Sequence, residues 1–198
     1  MSEPSAMMYV FAGNNGSGKS TIRNLIVDRL GISVNIDPDA LARRIDPDDP
    51  NRRKISAGKE AIRLARNCID NRRDFTIETT LAGGNVIRLM QSAKESGFET
   101  TMFFVGLGDY QLNIERVALR VRNGGHDIPT EDIIRRHTTS IQNLLSNLYL
   151  IDHLIVIDNS KSDGEIVLEA GYCSIKYQVD PLPAWVHKIK ENLKVEPL

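Results

Sequence analysis

The sequence predicts an α/β fold, with a mostly parallel five-stranded sheet flanked by helices, and three observations lead to that prediction. Short apolar runs alternate with segments whose apolar residues recur at helical spacing, which is typical of repeated βα units. A glycine-rich turn directly follows the first run. The chain has 198 residues, of which 41% are hydrophobic and 26% charged, so one ordinary globular domain spanning 1–198 is expected.

Five apolar runs are predicted to form the sheet, because each ends in turn-forming or small polar residues. They cover residues 7–13, 32–37, 75–80, 101–108 and 153–160. Each of the first four leads into a helical segment, as expected for parallel strands joined by crossover helices. Residues 165–171 and 172–179, which follow the fifth run, predict a small antiparallel addition.

Apolar residues at helical spacing predict two long helices, around residues 57–69 and 133–148. A shorter helix near 113–123 precedes the segment NGGHDIP at 123–129, whose glycines and proline indicate a loop. We expect residues of about 110–136 to form a helical lid. Residues 181–194 predict a terminal amphipathic helix that places Trp185 against the body of the protein.

Composition excludes several classes of function. The net charge is −1, which argues against a surface built for nucleic acid or for anionic membranes. Cys68 and Cys173 are far apart and lack metal-ligand spacing, so reduced thiols are expected. No apolar run approaches the length that spans a bilayer, and the first residues lack the features of a signal peptide. We therefore expect a cytoplasmic protein without membrane contacts.

The strongest motif is GNNGSGKS at residues 13–20, which matches GxxxxGK[ST] between a strand and the helical segment 21–30. The backbone N–H groups of such a loop and the helix N-terminus together surround a polyphosphate. Lys19 is placed for the β and γ phosphates, and the Ser20 hydroxyl for Mg²⁺. The residues predicted to bind the nucleotide phosphates are Gly13, Asn14, Asn15, Gly16, Ser17, Gly18, Lys19, Ser20 and Thr21.

The rest of the chain favours a kinase over other nucleotide-dependent classes. SKSD at 160–163 lies where a GTPase reads guanine, but Ser160 replaces the usual Asn or Thr and no DxxG motif follows the third run. The third run ends in TIETT rather than in the acidic end typical of a motor ATPase. We expect adenine to lie against Asp158, Asn159 and Ser160, with Asn159 as a nucleotide contact.

Acidic side chains follow the second and third runs, where strand ends line the ligand crevice of a doubly wound fold. Of Asp37 and Asp39, one carboxylate can order a metal-bound water while the other accepts a proton from an attacking hydroxyl. The alternative for either residue is an Asx turn or a helix N-cap. Glu78 can hold substrate hydroxyls or a metal-bound water, and a polar strand end is its alternative.

Arginines flank the 123–129 loop and could neutralise the transferring phosphoryl group. Arg116 and Arg120 share the polar face of the shorter helix, which suits a lid, although a solvated face is the alternative. Arg122 precedes the loop and Arg135 follows it. His126 lies beside two glycines and could contact phosphate.

Taken together, GNNGSGKST, NIDPDALA, TIETTLAG, RVALRVRNGGHDIP and IIRRHTTSIQNL resemble the zeta-toxin family of P-loop kinases over roughly residues 8–157. The resemblance implies a P-loop kinase fold, the use of ATP and Mg²⁺, and phosphorylation of a small-molecule hydroxyl. In better-known members the acceptor is UDP-N-acetylglucosamine, and an antitoxin protein holds the toxin inactive.

The resemblance also implies roles for individual residues. Lys19 and Ser20 would bind ATP and Mg²⁺, and Asp39 would be the catalytic base. Glu78 and Thr80 would hold substrate, and Arg116 or Arg120 would be the first lid arginine. One departure is that the second lid arginine of the toxins falls near His126, and Arg122 or Arg135 could replace it.

Two other functions fit the same features. A regulatory ATP-binding module would act through a protein partner with little catalysis. Arginine-rich helices that contact nucleic acid would bind with a strong dependence on salt.

Overall fold

The computed structural model describes residues 5–161, 163–171 and 174–193. Within these ranges one sheet contains seven strands in the order β2-β3-β1-β4-β5-β6-β7. The strands are β1 Ala6–Ala12, β2 Asn35–Ile36, β3 Phe75–Thr79, β4 Phe98–Gly106, β5 His153–Asp158, β6 Glu165–Gly171 and β7 Ser174–Gln178. The five strands from β2 to β5 in that order pair parallel, and β6 and β7 add antiparallel.

Seven α-helices surround the sheet in the described residues. They are α1 Lys19–Leu30, α2 Pro38–Ile45, α3 Lys54–Asp70, α4 Gly84–Glu95, α5 Tyr110–Arg122, α6 Thr130–Ser146 and α7 Ala184–Asn192. None of the helices in these ranges has the length and apolar character needed to cross a bilayer.

The predicted α/β class and mostly parallel sheet are confirmed, but the strand count of five is wrong. The antiparallel hairpin continues the main sheet, because β6 pairs with the edge of β5 from His153 to Asp158. The second strand is also shorter than predicted. At its carboxyl end the strand stops at Ile36, because Pro38 has no N–H group to continue the ladder and Asp37 already begins α2 as its N-cap.

The central strands are buried on both faces, which explains their continuous apolar runs. On one face Met8, Val10 and Phe104 belong to the large core cluster with Leu89 and Leu144 from the helices. On the other face Phe11 and Phe103 stack with ring centroids 4.9 Å apart, beneath Ile22 of α1.

Cys68 lies in the core as a free thiol, and burial raises its pKa, so little reactive thiolate forms at neutral pH. The structure therefore agrees with an inert role for Cys68. The matching expectation for Cys173 lies outside the described residues.

The predicted lid of about 110–136 corresponds to two helices rather than one unit. α5 and the first turns of α6 lie on either side of the loop 123–129. However, α6 continues to Ser146, and Leu144 is completely buried in the main core. The end of α6 is thus part of the body, and movement of α5 with the first turns of α6 as a lid stays a prediction.

Replacing a buried leucine should test the core against a matched surface site. Leu89 in α4 is 3% exposed, whereas Leu25 in α1, a helix of the same length, is 66% exposed. We expect Leu89→Ala to lower the free energy of unfolding by about 2–5 kcal/mol, because it leaves a cavity. Leu25→Ala should change it by less than about 0.5 kcal/mol in the same urea titration. Equal effects would contradict the assignment of α4 to the core.

Candidate active site

The phosphate loop, residues 13–20, leaves β1 through backbone conformations that favour glycine. Gly13, Gly16 and Gly18 have φ angles of 140°, 74° and 95°. At Gly16 a Cβ atom would lie 2.7 Å from the carbonyl oxygen of Asn113 in α5. A side chain at this position would therefore be strained and would collide with α5.

Side chains on the outer side of the loop hold it against the two lid helices. Asn14 Nδ2 donates to the carbonyl oxygen of Ile133 at 3.0 Å, and Asn113 Nδ2 donates to that of Asn15 at 2.7 Å. Nη1 of Arg136 donates to Asn15 Oδ1 at 2.9 Å. The side chains of Asn14 and Asn15 thus bind protein groups, and the backbone N–H of Asn15 donates to Asn14 Oδ1 at 2.8 Å. The nucleotide contacts expected of these two residues stay predictions.

Lys19 is buried at the start of α1, and its Nζ donates to the carbonyl oxygen of Asn14 at 2.9 Å. Burial lowers its pKa, because the ammonium group loses hydration. Glu78 and Asp39 oppose that shift, while the charge of Arg120 adds to it. A phosphate placed beside Lys19 would supply the negative charge that its surroundings provide only in part.

Glu78, at the end of β3, faces α1. Ser20 Oγ donates to Glu78 Oε1 at 2.9 Å, and Nη1 of Arg23 lies 3.1 Å from Glu78 Oε2. Burial raises the pKa of Glu78, and the neighbouring Asp37 raises it further, against the opposing effect of Lys19. The carboxyl group is therefore held in a site that disfavours its own charge.

Arg23 links the two acidic strand ends, because the same Nη1 atom lies 3.1 Å from Asp37 Oδ2. Our sequence analysis missed this residue. A signal was present, since Arg23 is four residues after Lys19 and therefore on the same face of α1. A cation at that position can hold both carboxylates near the phosphate loop.

Asp37 and Asp39 have different structural roles. Asp37 Oδ1 accepts hydrogen bonds from the backbone N–H groups of Asp39 at 2.9 Å and Ala40 at 3.1 Å, so Asp37 is the N-cap of α2. The capping alternative therefore holds for Asp37. Asp39 is exposed in the first turn of α2.

A cavity of about 430 Å³ opens between the phosphate loop, α2, α3 and α4. We call it the transfer cavity. The predicted site residues that line it are Asn15, Lys19, Asp37, Asp39, Glu78, Thr80 and Arg135. Lys54 and Arg136 line it as well.

Other predicted residues lie outside the lining of the transfer cavity. Nη2 of Arg116 donates to the carbonyl oxygen of Ser160 at 3.4 Å, and Nη2 of Arg120 donates to that of His126 at 2.8 Å. Burial lowers the pKa of His126, and its buried Nε2 has no hydrogen-bond partner among the described residues. Arg122 is exposed at the end of α5. The catalytic and substrate contacts of these residues stay predictions.

The first turns of α6 bring two arginines to the transfer cavity. Arg135 and Arg136 both pair with Asp132, at 2.6 Å and 3.0 Å. Arg136 also bonds to Asn15 of the phosphate loop. Of the arginines around the 123–129 loop, these two line the transfer cavity.

The residues present fit a magnesium ion that is held mainly by phosphates. In the described ranges, no group of three or more His, Cys, Asp or Glu side chains forms a complete metal site. The hydroxyl of Ser20 beside the Glu78 carboxylate provides the oxygen ligands that Mg²⁺ prefers, and Mg²⁺ commonly takes its remaining ligands from water and substrate phosphates.

Comparison with known proteins agrees with the family resemblance of the sequence motifs. Residues 1–167 match the family described as Zeta toxin. A protein of Haemophilus influenzae, described only as uncharacterized, is 38% identical over 125 residues, which cover 63% of this chain and 87% of that protein.

Solved structures share the fold. A structure from the PezAT chromosomal toxin-antitoxin system of Streptococcus pneumoniae is similar with a TM-score of 0.61 and 17% identity, over 97% of this chain and 87% of that chain. A structure of AvrRxo1-ORF1:AvrRxo1-ORF2 with ATP gives 0.63 and 12%, over 98% and 65%. At these identities the likeness concerns the fold, and it confirms the predicted α/β fold class.

The stability of the Glu78→Gln variant relative to the wild type should increase as the pH rises. A raised pKa means that the folded state holds the proton more tightly than the unfolded state. The wild type therefore loses stability as the pH increases above about 4, the ordinary range of a glutamate. The glutamine variant lacks this ionisation, so urea unfolding at pH 5 and pH 8 should show its advantage growing with pH. Glu115→Gln, at an exposed site on α5, is the control, and a difference independent of pH would contradict the interpretation.

Proposed function

This chain belongs to the zeta-toxin family, and from that premise we propose that it is a kinase that uses Mg-ATP to phosphorylate a hydroxyl group of a small molecule. The observation that carries the proposal is the transfer cavity, which Lys19 of the phosphate loop and the carboxylates of Asp39 and Glu78 all line. Direct transfer requires the donor phosphate and the acceptor hydroxyl to meet in one place. Lys19, which would bind the donor phosphate, lines the same cavity as the carboxylate of Asp39, which would bind the acceptor hydroxyl. This arrangement supports the proposal.

Each residue has a distinct proposed role. The loop amides and Lys19 bind the phosphates of ATP and stabilise the charge that develops on the transferring group. Ser20 and Glu78 would hold Mg²⁺, which supplies further neutralisation of the phosphate oxygens. Asp39 accepts the proton of the acceptor hydroxyl, because it is an exposed carboxylate at the rim of the cavity.

Arginines at the cavity complete the proposed mechanism. Arg135 and Arg136 lie at its wall, and they can stabilise negative charge during transfer once substrate competes with Asp132 for their guanidinium groups. Arg116 and Arg120 remain proposed lid arginines that would act on the nucleotide side. Substitution of the α6 arginines should therefore lower the rate of transfer, whereas substitution of the α5 arginines should weaken nucleotide binding.

The acceptor side of the cavity combines an apolar wall with positive charge. Ala61, Ile62 and Val86 supply apolar surface, and Lys54 with Arg135 supplies cationic groups. This combination suits an alcohol that carries an anionic group. UDP-N-acetylglucosamine is the acceptor we propose to test first, with Thr80 as a contact for it.

A regulatory ATP-binding module is the alternative function. The similar PezAT structure comes from a toxin-antitoxin system, and on that likeness we propose an antitoxin protein as a possible partner of this chain. The kinase and the module differ in their response to acceptor. Only a kinase should consume ATP faster when its acceptor is added, whereas a module should respond to its protein partner.

Asp39→Asn should abolish transfer while preserving ATP binding. The amide cannot accept the proton, so kcat should fall by about a hundredfold or more. The dissociation constant of Mg-ATP, measured by calorimetry, should stay within about twofold, since Asp39 is assigned to the acceptor side. Asp48→Asn, at an exposed aspartate after α2, is the matched control. Undiminished turnover in Asp39→Asn would remove this residue as the base.

Transfer of label from [γ-³²P]ATP should identify the acceptor. We expect a labelled product when the protein is incubated with UDP-N-acetylglucosamine, and no such product with the Lys19→Met variant. If that sugar nucleotide is not labelled, a metabolite extract fractionated by chromatography should yield the true acceptor. The absence of any acceptor-dependent product in the extract would favour the regulatory module.

A further inference from the structure

We propose that Trp185 is a positioning residue for nucleotide binding, which acts by fixing the base loop, defined here as residues 158–160. The inference rests on the proposed function and on our expectation from the sequence that this loop contacts the adenine of ATP. Trp185 lies on α7, beyond residues 1–167 that match the family. It also lies outside the lining of the transfer cavity.

The indole N–H of Trp185 is tied directly to the base loop. Trp185 Nε1 donates to Asp158 Oδ2 at 3.1 Å, and the other carboxylate oxygen, Oδ1, accepts the backbone N–H of Ser160 at 2.8 Å. Asp158 therefore uses one oxygen to shape the loop and the other to anchor it to α7. Hydrogen bonds to a charged acceptor are stronger than neutral ones, which makes this tie effective.

The indole ring also fills the space where two loops meet. It packs against Gly106, the last residue of β4, and against Gly108, so closely that a Cβ atom at Gly106 would overlap the ring. The backbone N–H of Gly108 donates to Ser160 Oγ at 3.2 Å, which joins this loop to the base loop. Phe104 supports the ring from β4, with centroids 6.3 Å apart.

From the base loop, hydrogen bonds continue to the phosphate loop and to α5. Asn159 Nδ2 donates to the carbonyl oxygen of Ser17 at 2.8 Å, and its backbone N–H donates to that of Gly106 at 3.0 Å. The carbonyl oxygen of Ser160 accepts from Arg116. The three residues are thus held by the phosphate loop, by α5 and by Trp185, so the loss of one anchor should increase the number of conformations they adopt.

This arrangement predicts an effect on nucleotide affinity with little effect on the chemical step. A loop that is already ordered costs less conformational entropy when it binds a ligand. Lys19 and the Asp39 carboxylate lie at the transfer cavity, away from the indole, so the rate at saturating nucleotide should not depend on Trp185. An increase in KM for ATP without a decrease in kcat is the expected signature.

Trp185→Phe in the full-length protein tests the inference, because it keeps an aromatic ring and removes the N–H donor. We expect the calorimetric dissociation constant of Mg-ATP to rise about fivefold to tenfold, which is less than the full strength of a hydrogen bond to a charged group because only the ordering of the base loop is lost. The kcat for the acceptor that the labelling experiment identifies should stay within about twofold. Tyr149→Phe, which alters an exposed aromatic residue, should leave both values unchanged.

A second variant separates positioning from a merely structural role. Asp158→Asn has one oxygen to serve two donors, so it should weaken Mg-ATP binding to a similar extent. If the two residues act through one another, the double variant should be no weaker than either single variant. A lowered Tm with an unchanged dissociation constant in both single variants would overturn the inference and leave Trp185 as packing only.

The outcomes also distinguish this inference from the proposed function. Trp185 is the single tryptophan of the sequence, so its fluorescence should change when Mg-ATP saturates the wild-type protein. Failure of the wild type to bind Mg-ATP would overturn the proposed function and this inference together. Wild-type binding with unaltered affinity in both single variants would overturn only the inference.

Discussion

The tight turn between β1 and α1 is the constraint on which the rest of the site depends. Its N–H groups can face a ligand only if the groups on its outer side find other partners, because buried backbone groups must be hydrogen-bonded. Asn113 of α5 provides such a partner for the carbonyl oxygen of Asn15, and Arg136 of α6 binds the side-chain oxygen of the same residue. The helices expected to act as a lid are therefore also the support of the phosphate loop, and movement of α6 would have to exchange these bonds.

Electrostatics around the turn favour ligand binding over the stability of the empty protein. Burial lowers the pKa of Lys19 and raises that of Glu78, so each residue sits where its own charge is disfavoured. Arg23 relieves part of this cost by bridging Glu78 and Asp37. A bound phosphate would compensate the charge of Lys19, and a divalent cation would compensate that of Glu78. Sites that bind ligands commonly lower the stability of the empty protein in this way.

Strand order separates the two halves of the proposed reaction. β3 and β2 lie on one side of β1 and end at Glu78 and Asp37, beside the transfer cavity. β4 and β5 lie on the other side and end near the base loop and Trp185. In doubly wound sheets the ligand crevice lies at the carboxyl ends of the strands, at the point where the strand order reverses next to the first strand. The donor and acceptor can thus bind from opposite sides and meet at the phosphate loop.

The sequence alone determined the features that depend on local chemistry. Spacing and strand-loop-helix context predicted the phosphate loop, and Asp37 before Pro38 indicated a possible cap, because glycine conformations, capping and helical periodicity act over a few residues. Only the tertiary structure decided which side chains meet across long separations. It paired Arg23 with Glu78, joined β6 to the main sheet, and brought Trp185 to Asp158, because such contacts depend on how distant elements pack.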